Sequence, residues 1–417
     1  MTSLFIDYKS NTSVLCELGR KYDTDKSSQR DNATDCRHCH PYTLFYDGLF
    51  KNKKNESLKI AELGILDGGS LLMWQEYFKN AKIFGFDFNE EFIEKFKKNH
   101  NNDRIVLANL DVKNAENIRE SLEKSNEMFD IILEDTTYII DDQIRVIENA
   151  YQFLKPGGLL IIEDILKSNN EKEYLYRLKK ILDQFQDYYF ITLEHENRIS
   201  TGWDNDKLFI LVKSGGEPIF KNKNKLTIIT PSYRTYNLEK IMTSINFNYV
   251  NEWIIVYDAT KIVENPLIFK NENPKIKEYI FKWDNEKNGY RNEEGISGND
   301  QRNYALSIIA ENCENRLLYF LDDDNVIHPD LYKLLNIIDD GKIYTFNRRE
   351  KGLKGNNINV GHIDTSMFLV DHDLCKGIKW KYNDYTADGI YIKECYEKNK
   401  KNHIYVDNEL AYTNFLS

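Results

Sequence analysis

The chain has 417 residues, of which 41% are hydrophobic and 29% charged. That length accommodates two or three domains, and the balance is too apolar for a disordered chain. With 56 basic against 67 acidic residues and a net charge of −11, the composition argues against a nucleic-acid binder. Residues 1–15 lack the basic start and apolar core of a signal peptide, and no run approaches the length of a transmembrane helix. The six cysteines (Cys16, Cys36, Cys39, Cys313, Cys375, Cys395) are too scattered for a disulfide framework. A cytoplasmic protein without a transmembrane segment is expected, with peripheral contact at the inner face of a membrane left open. Tyrosine is abundant at 27, which suits polar ligands stacked on rings.

Along the first half, strands are predicted at 59–63, 82–87, 105–108, 129–134 and 158–163. Helical patterns follow at 70–78, 90–99, 115–124, 142–154 and 171–185. This alternation implies a parallel sheet covered on both faces. Two further strand-like runs, 188–194 and 207–213, close the half. Gly, Pro and charge then concentrate in Lys213-Ser214-Gly215-Gly216-Glu217-Pro218 and the Lys/Asn run after it, the composition of a linker. The second half alternates again, with strands predicted at 226–230, 253–257, 277–281, 317–321 and 343–346. The expected organisation is α/β with two doubly wound domains, 1–213 and 226–417, joined by a linker over 214–225.

In the first half, Glu62-Leu63-Gly64-Ile65-Leu66-Asp67-Gly68-Gly69-Ser70 puts glycines between a strand and a helix. Glycine there permits a tight turn and close approach of a ligand to the backbone. Asp87 ends the next strand, where an acid accepts hydrogen bonds from ribose hydroxyls, and Asp111 stands after the third strand, in reach of an adenine. Glu62, Gly64, Gly68, Asp87 and Asp111 are therefore the expected cofactor-binding residues. Asp135 at one strand end, with Glu163 and Asp164 at another, offers three hard oxygen ligands for Mg²⁺ or Mn²⁺; solvated or helix-capping acids are the plain alternative. Cys36-Arg37-His38-Cys39-His40 has zinc-ligand types but no second pair at finger spacing, so a polar loop is expected there.

These motifs, with Tyr22-Asp23-Thr24-Asp25-Lys26, His40-Pro41-Tyr42, Met73-Trp74 and Leu154-Lys155-Pro156-Gly157-Gly158, resemble class I S-adenosylmethionine-dependent methyltransferases. The likeness is closer to the metal-dependent sugar O-methyltransferases of macrolide biosynthesis and their cephalosporin-hydroxylase-like relatives, over about residues 14–213. The resemblance implies a Rossmann-like fold, S-adenosylmethionine as cofactor, Mg²⁺ at Asp135, Glu163 and Asp164, and a catalytic base three residues after Asp135. The family carries His at that position. Here it is Tyr138, with Thr136 in place of a glycine, and a tyrosine titrating near pH 10 is a poor base at neutral pH. The alternative is that this half binds cofactor or acceptor without catalysis.

In the second half, the apolar run Leu317-Leu318-Tyr319-Phe320-Leu321 ends abruptly in Asp322-Asp323-Asp324. Carboxylates one residue apart at a strand end grip a divalent cation that also binds phosphate oxygens, and such a cation neutralises a departing diphosphate. With Ile228-Ile229-Thr230-Pro231-Ser232-Tyr233-Arg234 and Gly298-Asn299-Asp300-Gln301-Arg302-Asn303, this resembles GT-A fold glycosyltransferases, closest to family 2, over about 225–417. The resemblance implies a nucleotide-diphosphate sugar donor bound by Pro231, Tyr233, Arg234, Asp258, Arg302, Asp322 and Asp323. It also implies Mn²⁺ or Mg²⁺ on Asp322 and Asp324, and Asp388 as the base of an inverting transfer to a saccharide or polysaccharide acceptor, as in surface or capsular polysaccharide synthesis. Asp388 otherwise reads as a helix cap, Asp364 as a rival base, and His403 as a further metal ligand. The third reading is a scaffold with vestigial sites.

Overall fold

The computed structural model describes residues 2–29, 38–100, 102–200, 202–220, 226–262, 266–269, 272–288, 290, 295–296, 298–310, 317–349 and 352–416. The chain divides into two compact units, Met1–Lys221 and Asn222–Ser417. Among the described residues no helix is long and apolar enough to cross a membrane.

The first unit opens with a strand and two helices that hydrophobic patterning does not announce: β1 (Thr2–Asp7), α1 (Val14–Lys21) and α2 (Tyr42–Phe50). The alternating series follows as β2 (Lys59–Leu63), α3 (Gly69–Tyr77), β3 (Lys82–Asp87), α4 (Glu90–Asn99), β4 (Ile105–Asn109), α5 (Ala115–Lys124) and β5 (Phe129–Glu134). It continues with α6 (Ile140–Ala150), β6 (Leu154–Ile162), α7 (Glu171–Leu178), β7 (Phe185–Glu194) and β8 (Lys207–Lys213). The sheet order is β1-β7-β8-β6-β5-β2-β3-β4. All neighbours are parallel except β8, which runs against both β6 and β7. Strands β5 and β6 are almost wholly buried apolar runs, as a sheet covered on both faces requires. Helices α4 and α5 start where Asn89 and Asn114 accept backbone N–H groups of the first turn. Strand order reverses between β2 and β5, and the crevice at such a switch point is where an open α/β sheet binds ligands.

The expected helix over 171–185 is shorter than its periodicity suggests. It ends at Leu178, and the chain passes through a 3-10 turn (Leu182–Gln184) into β7. The linker reading also needs correction. Residues 214–220 are part of the first unit: Ile219 N donates to the Gly157 carbonyl at 2.9 Å, Gln186 Nε2 donates to the Gly216 carbonyl at 2.9 Å, and buried Phe220 sets its ring edge-on to Tyr189. Residues 221–225 lie outside the described residues.

The second unit contains β9 (Leu226–Ser232), α8 (Leu238–Ser244), β10 (Val250–Asp258), β11 (Ile276–Phe281), α9 (Asn285–Asn288), α10 (Asn299–Ala310) and β12 (Leu317–Phe320). After these come α11 (Pro329–Leu335), β13 (Ile343–Arg348), β14 (Phe368–Asp371), α12 (His372–Cys375), α13 (Ala387–Lys398) and β15 (His403–Ala411). The order is β11-β10-β9-β12-β14-β13-β15. Here the doubly wound expectation is corrected to a mixed sheet, because β14 runs antiparallel to both β12 and β13. The parallel part, β9 to β12, brings the ends of β9, β10 and β12 to one edge.

Gly157 has φ +79°, and a Cβ there would stand 1.9 Å from the Glu217 carbonyl oxygen. Gly157→Ala should therefore lose roughly 2–3 kcal/mol of stability through strain and lost docking of 214–220. Denaturant titration of the full chain measures it, and an unchanged midpoint would mean the segment is not held there.

Candidate active sites

In the first unit, the ends of β2, β3 and β4 surround a cavity of about 540 Å³ lined by Gly64, Asp87, Asp111, Asp135 and the rings of Phe88 and Phe92, among others. Gly64 has φ +90°, and a Cβ there would meet the Asp135 carbonyl oxygen at 2.0 Å, so only glycine lets the ends of β2 and β5 close together. Asp87 accepts from Ile65 N at 3.0 Å and from Asn89 N at 2.8 Å, tying the two loops of the crevice together. Asp111 accepts from Lys113 N at 2.9 Å. Each carboxylate keeps lone pairs for a ligand. Leu66 and Phe88, although apolar, are largely exposed, at 61% and 72%.

Two of the expected cofactor residues do not line this cavity. Gly68 caps α3, and a Cβ on it would strike the Phe96 ring at 2.1 Å, so its glycine serves packing. Glu62 is fully buried beside Lys26, whose Nζ is 3.4 Å from Oε1. Burial lifts the Glu62 carboxyl, against the pull of Lys26, to about 7.

The carboxylates expected to hold a metal surround this same lysine. Lys26 Nζ donates to Asp135 Oδ2 and to Glu163 Oε2, and Glu163 Oε1 accepts from the Tyr46 hydroxyl at 2.5 Å. Burial works against the charged ammonium, yet Asp135, Glu163 and Glu62 keep it well above the usual lysine range. Asp164 lies at φ +54°, with its Oδ1 2.8 Å from the Tyr42 hydroxyl and 3.7 Å from His40 Nε2. Among the described residues no three His, Cys, Asp or Glu side chains are gathered as a metal ion would need. The three-carboxylate set is corrected accordingly: Glu163 is wholly buried, and only Asp135 and Asp164 keep about a quarter of their side-chain surface exposed.

Several residues of this site carried no role in the sequence reading. His40 Nδ1 is 2.8 Å from Asp206 Oδ1; burial opposes its charge, but Asp164 and Asp206 push it up to about 9. Arg198 donates in turn to Asp206 and Glu194. His38, Cys39 and His40 form a loop in which Cys39 exchanges backbone hydrogen bonds with Ile199, whereas Cys36 lies outside the described residues. Tyr138, the expected base, does not line the cavity; its ring lies against Trp203, with centroids 4.2 Å apart.

Glu134, at the end of β5, is completely buried, and only its Oε1 has partners, Thr136 N at 3.1 Å and the Thr136 hydroxyl. Burial, opposed by Thr136 and reinforced by the charge of Asp135, pushes it up to about 8.

In the second unit, a cavity of about 600 Å³ is lined by every side chain that the glycosyltransferase resemblance assigned to the donor, the metal or the base, His403 not being among these. Arg302 donates to Asp322 and lies 4.6 Å over the Trp380 ring. Arg234 reaches Asp324 Oδ2 at 2.9 Å. Burial raises both Asp322 and Asp324, with Arg302 and Arg234 respectively opposing it. Asp258 ends β10 and accepts from Thr260 N at 3.0 Å. Tyr233 carries Lys261 Nζ and the Arg234 guanidinium over its ring, at 4.7 and 4.8 Å.

Asp323 differs from its neighbours. It is 2% exposed and accepts from Tyr233 N, Arg234 N and Arg234 Nε at 2.7–2.8 Å, so it fastens the loop after β9 instead of offering oxygens to a ligand. The donor role expected for Asp323 is corrected to holding Tyr233 and Arg234 in place. Asp388 is not the cap of α13, since Thr386 precedes the helix; it sits in the first turn, where burial, reinforced by Asp364, pushes it up to about 6 against the Gly389 amide. Asp364 pairs with Arg348. His403 is buried on β15 with Nε2 2.8 Å from the Thr345 hydroxyl and does not line the cavity, which removes it as a ligand.

Residues 68–215 match a family model described as a methyltransferase domain. Demethylmacrocin O-methyltransferase of Streptomyces fradiae is 28% identical over 134 residues, 30% of this chain and 32% of that protein. Mycinamicin VI 2''-O-methyltransferase of Micromonospora griseorubida is 27% identical over 173 residues, 39% and 41% of the two chains. A solved structure of the MycE methyltransferase from the mycinamycin biosynthetic pathway, in complex with Mg, SAH and mycinamycin VI, is 21% identical, covers 50% of this chain and 58% of that one, and superposes with a TM-score of 0.36. The chain thus spans between 32% and 41% of the length of these curated relatives. The first unit carries a class I methyltransferase domain of the α/β Rossmann-like kind. It is related to the sugar O-methyltransferases of macrolide pathways.

The buried Glu134 has a pH signature. In the unfolded chain it ionises in the ordinary glutamate range, in the fold only near pH 8, so stability falls as pH rises between the two. Glu134→Gln should abolish that fall, gaining on the order of 3 kcal/mol over the parent at pH 8 and little at pH 4. Thermal melts across that range check it, and a pH-independent difference would contradict it.

Proposed function

We propose that this chain is a two-unit transferase. The second unit moves a sugar from a nucleotide-diphosphate donor to a saccharide or polysaccharide acceptor, and the first unit binds S-adenosylmethionine and methylates a sugar hydroxyl. Building or decorating a surface polysaccharide is the biological setting this combination suits.

One observation carries the glycosyltransferase reading: Asp322, Asp324, Arg234, Arg302 and Asp388, drawn from four separate segments, converge on one cavity of about 600 Å³. Asp322 and Asp324 are the hard oxygen donors that would hold Mn²⁺ or Mg²⁺, the remaining positions falling to diphosphate oxygens. Their fit rests on two carboxylates that share one rim and are already answered by cationic groups. When bound, such an ion supplies positive charge to the departing diphosphate. Arg234 and Arg302 add fixed positive charge from the same walls. Tyr233 and Asp258 flank the nucleotide end. Asp388, ionised above about pH 6, accepts the proton of the acceptor hydroxyl as that oxygen attacks the anomeric carbon, which inverts the linkage.

For the first unit, support comes from the cavity containing Gly64, Asp87 and Asp111 and from the related methyltransferases. Asp135 and Asp164, the two acids of this rim that keep exposed surface, are the residues that would hold Mg²⁺. Their fit rests on that exposure, since Lys26 and Tyr46 already take both oxygens of Glu163. When bound, the metal would acidify a sugar hydroxyl. A second reading, binding without methyl transfer, is favoured by Tyr138 standing outside the cavity lining.

Calorimetry with UDP and GDP in the presence of Mn²⁺ tests the second unit. Asp324→Asn should weaken metal-dependent nucleotide binding about tenfold or more, whereas Asp388→Asn should keep binding and lose about 100-fold or more in turnover. The turnover of the parent should fall on acidification below about pH 6. Nucleotides that bind equally well with and without the triplet would sink this reading. For the first unit, Asp87→Asn should weaken S-adenosylhomocysteine about tenfold by the same measurement, and an unchanged affinity would remove Asp87 from the cofactor site.

A further inference from the structure

Tyr138 and Trp203 have no part in the chemistry derived so far. Their rings are 42% and 38% exposed, 4.2 Å apart between centroids, with planes tilted by 42°. They come from different segments, Tyr138 three residues beyond Asp135 and Trp203 from the loop between β7 and β8.

That loop is firmly held. Arg198 reaches Asp204 at 2.9 Å and also pairs with Asp206, and Lys167 reaches Asp204 at 2.8 Å. The Ser200 hydroxyl donates to the Trp203 carbonyl. The Tyr42 hydroxyl lies 3.1 Å from the Asn205 carbonyl oxygen and 2.8 Å from Asp164 Oδ1. Through the Tyr42 hydroxyl the backbone two residues beyond Trp203 meets Asp164, while Tyr138 is tied by sequence to Asp135. Two water-exposed rings thus stand on the segments that lead to two partly exposed carboxylates.

Paired rings left in water contribute little to a core, whereas large flat side chains with one wet edge are typical contact surfaces. A pyranose matches this pattern: the C–H face of its ring covers an aromatic face, and its equatorial hydroxyls donate to carboxylates. We propose that Tyr138 and Trp203 form a stacking platform for a pyranose ring of the acceptor, with its hydroxyls turned to Asp135 and Asp164. Tyr138 is then a positioning residue acting through its ring, and its hydroxyl takes no proton. The methyl-transfer consequence rests on the methyltransferase reading of this unit, but saccharide binding does not.

The test uses the full chain labelled with 5-fluorotryptophan, Trp203 being one of five tryptophans and assigned through Trp203→Phe. The probes are methyl pyranosides of hexoses, 6-deoxyhexoses, N-acetylhexosamines and hexuronic acids, with their disaccharides. At least one should shift the Trp203 resonance saturably. Tyr138→Ala, read by that resonance, and Trp203→Ala, read by calorimetry with the same probe, should each weaken it about tenfold, the scale of a lost aromatic contact, and Tyr138→Phe should bind as the parent does. Where methyl transfer is measurable, the alanine variants should raise KM and leave kcat nearly unchanged. The proposal is overturned if no probe shifts Trp203, if the alanine variants bind normally, or if Tyr138→Phe fails as badly as Tyr138→Ala. S-adenosylhomocysteine calorimetry on the same samples separates the two ideas, because its failure in the parent would remove the methyltransferase reading and leave the platform standing. Retained cofactor affinity in the variants establishes that they fold.

Discussion

A single ammonium group answers three carboxylates inside the first unit. Lys26 is buried with Glu62 and Glu163 and shares Asp135 with the cavity rim. Desolvating one cation and several anions is costly, and removing one partner from such a set typically costs about 3–5 kcal/mol because the remaining charges are stranded. The arrangement therefore fixes where the ends of β2, β5 and β6 lie relative to the loop carrying Lys26. Gly64 completes the constraint by letting β2 and β5 approach within the reach of one backbone carbonyl. The cavity beside Gly64 is a product of this convergence.

The second unit solves a similar problem with arginines. Three successive aspartates at the end of β12 divide their labour: Asp323 turns back to hold the loop after β9, leaving Asp322 and Asp324 toward the cavity. Arg234 serves both purposes, since it is fastened by Asp323 and reaches Asp324. A loop and a pair of cavity-facing acids are thus mechanically one object.

Much of this was legible in the amino-acid order. An apolar strand that ends in acids can place them only at the rim of a sheet, so Asp87, Asp135 and Asp322 were visible from local pattern. The division within the aspartate triplet was not legible, because the strand ends at Phe320 and Asp323 and Asp324 stand in a turn, where side chains do not follow the strand alternation. Lys26 was hidden because a lysine ordinarily reads as surface, and two of its partners lie 109 and 137 residues away. The strand β14 was hidden by its brevity, since four residues with a 3-10 turn before them carry no periodicity. Glycine and proline in 214–218 suggested freedom, but the same residue types also permit close backbone contact, and packing decided between the two. His40 was read as part of a loop because nothing local announces Asp206, which lies 166 residues on.

The contact between Gly157 and Glu217 bears on how the first unit can be separated. A fragment cut at the end of β8 would strip Phe220 from Tyr189 and leave the Gly157 carbonyl without the amide of Ile219. Exposed apolar surface and an orphaned acceptor would follow at the far end of β6, away from the crevice. An excised first unit that keeps this packing has to retain the tail through Phe220.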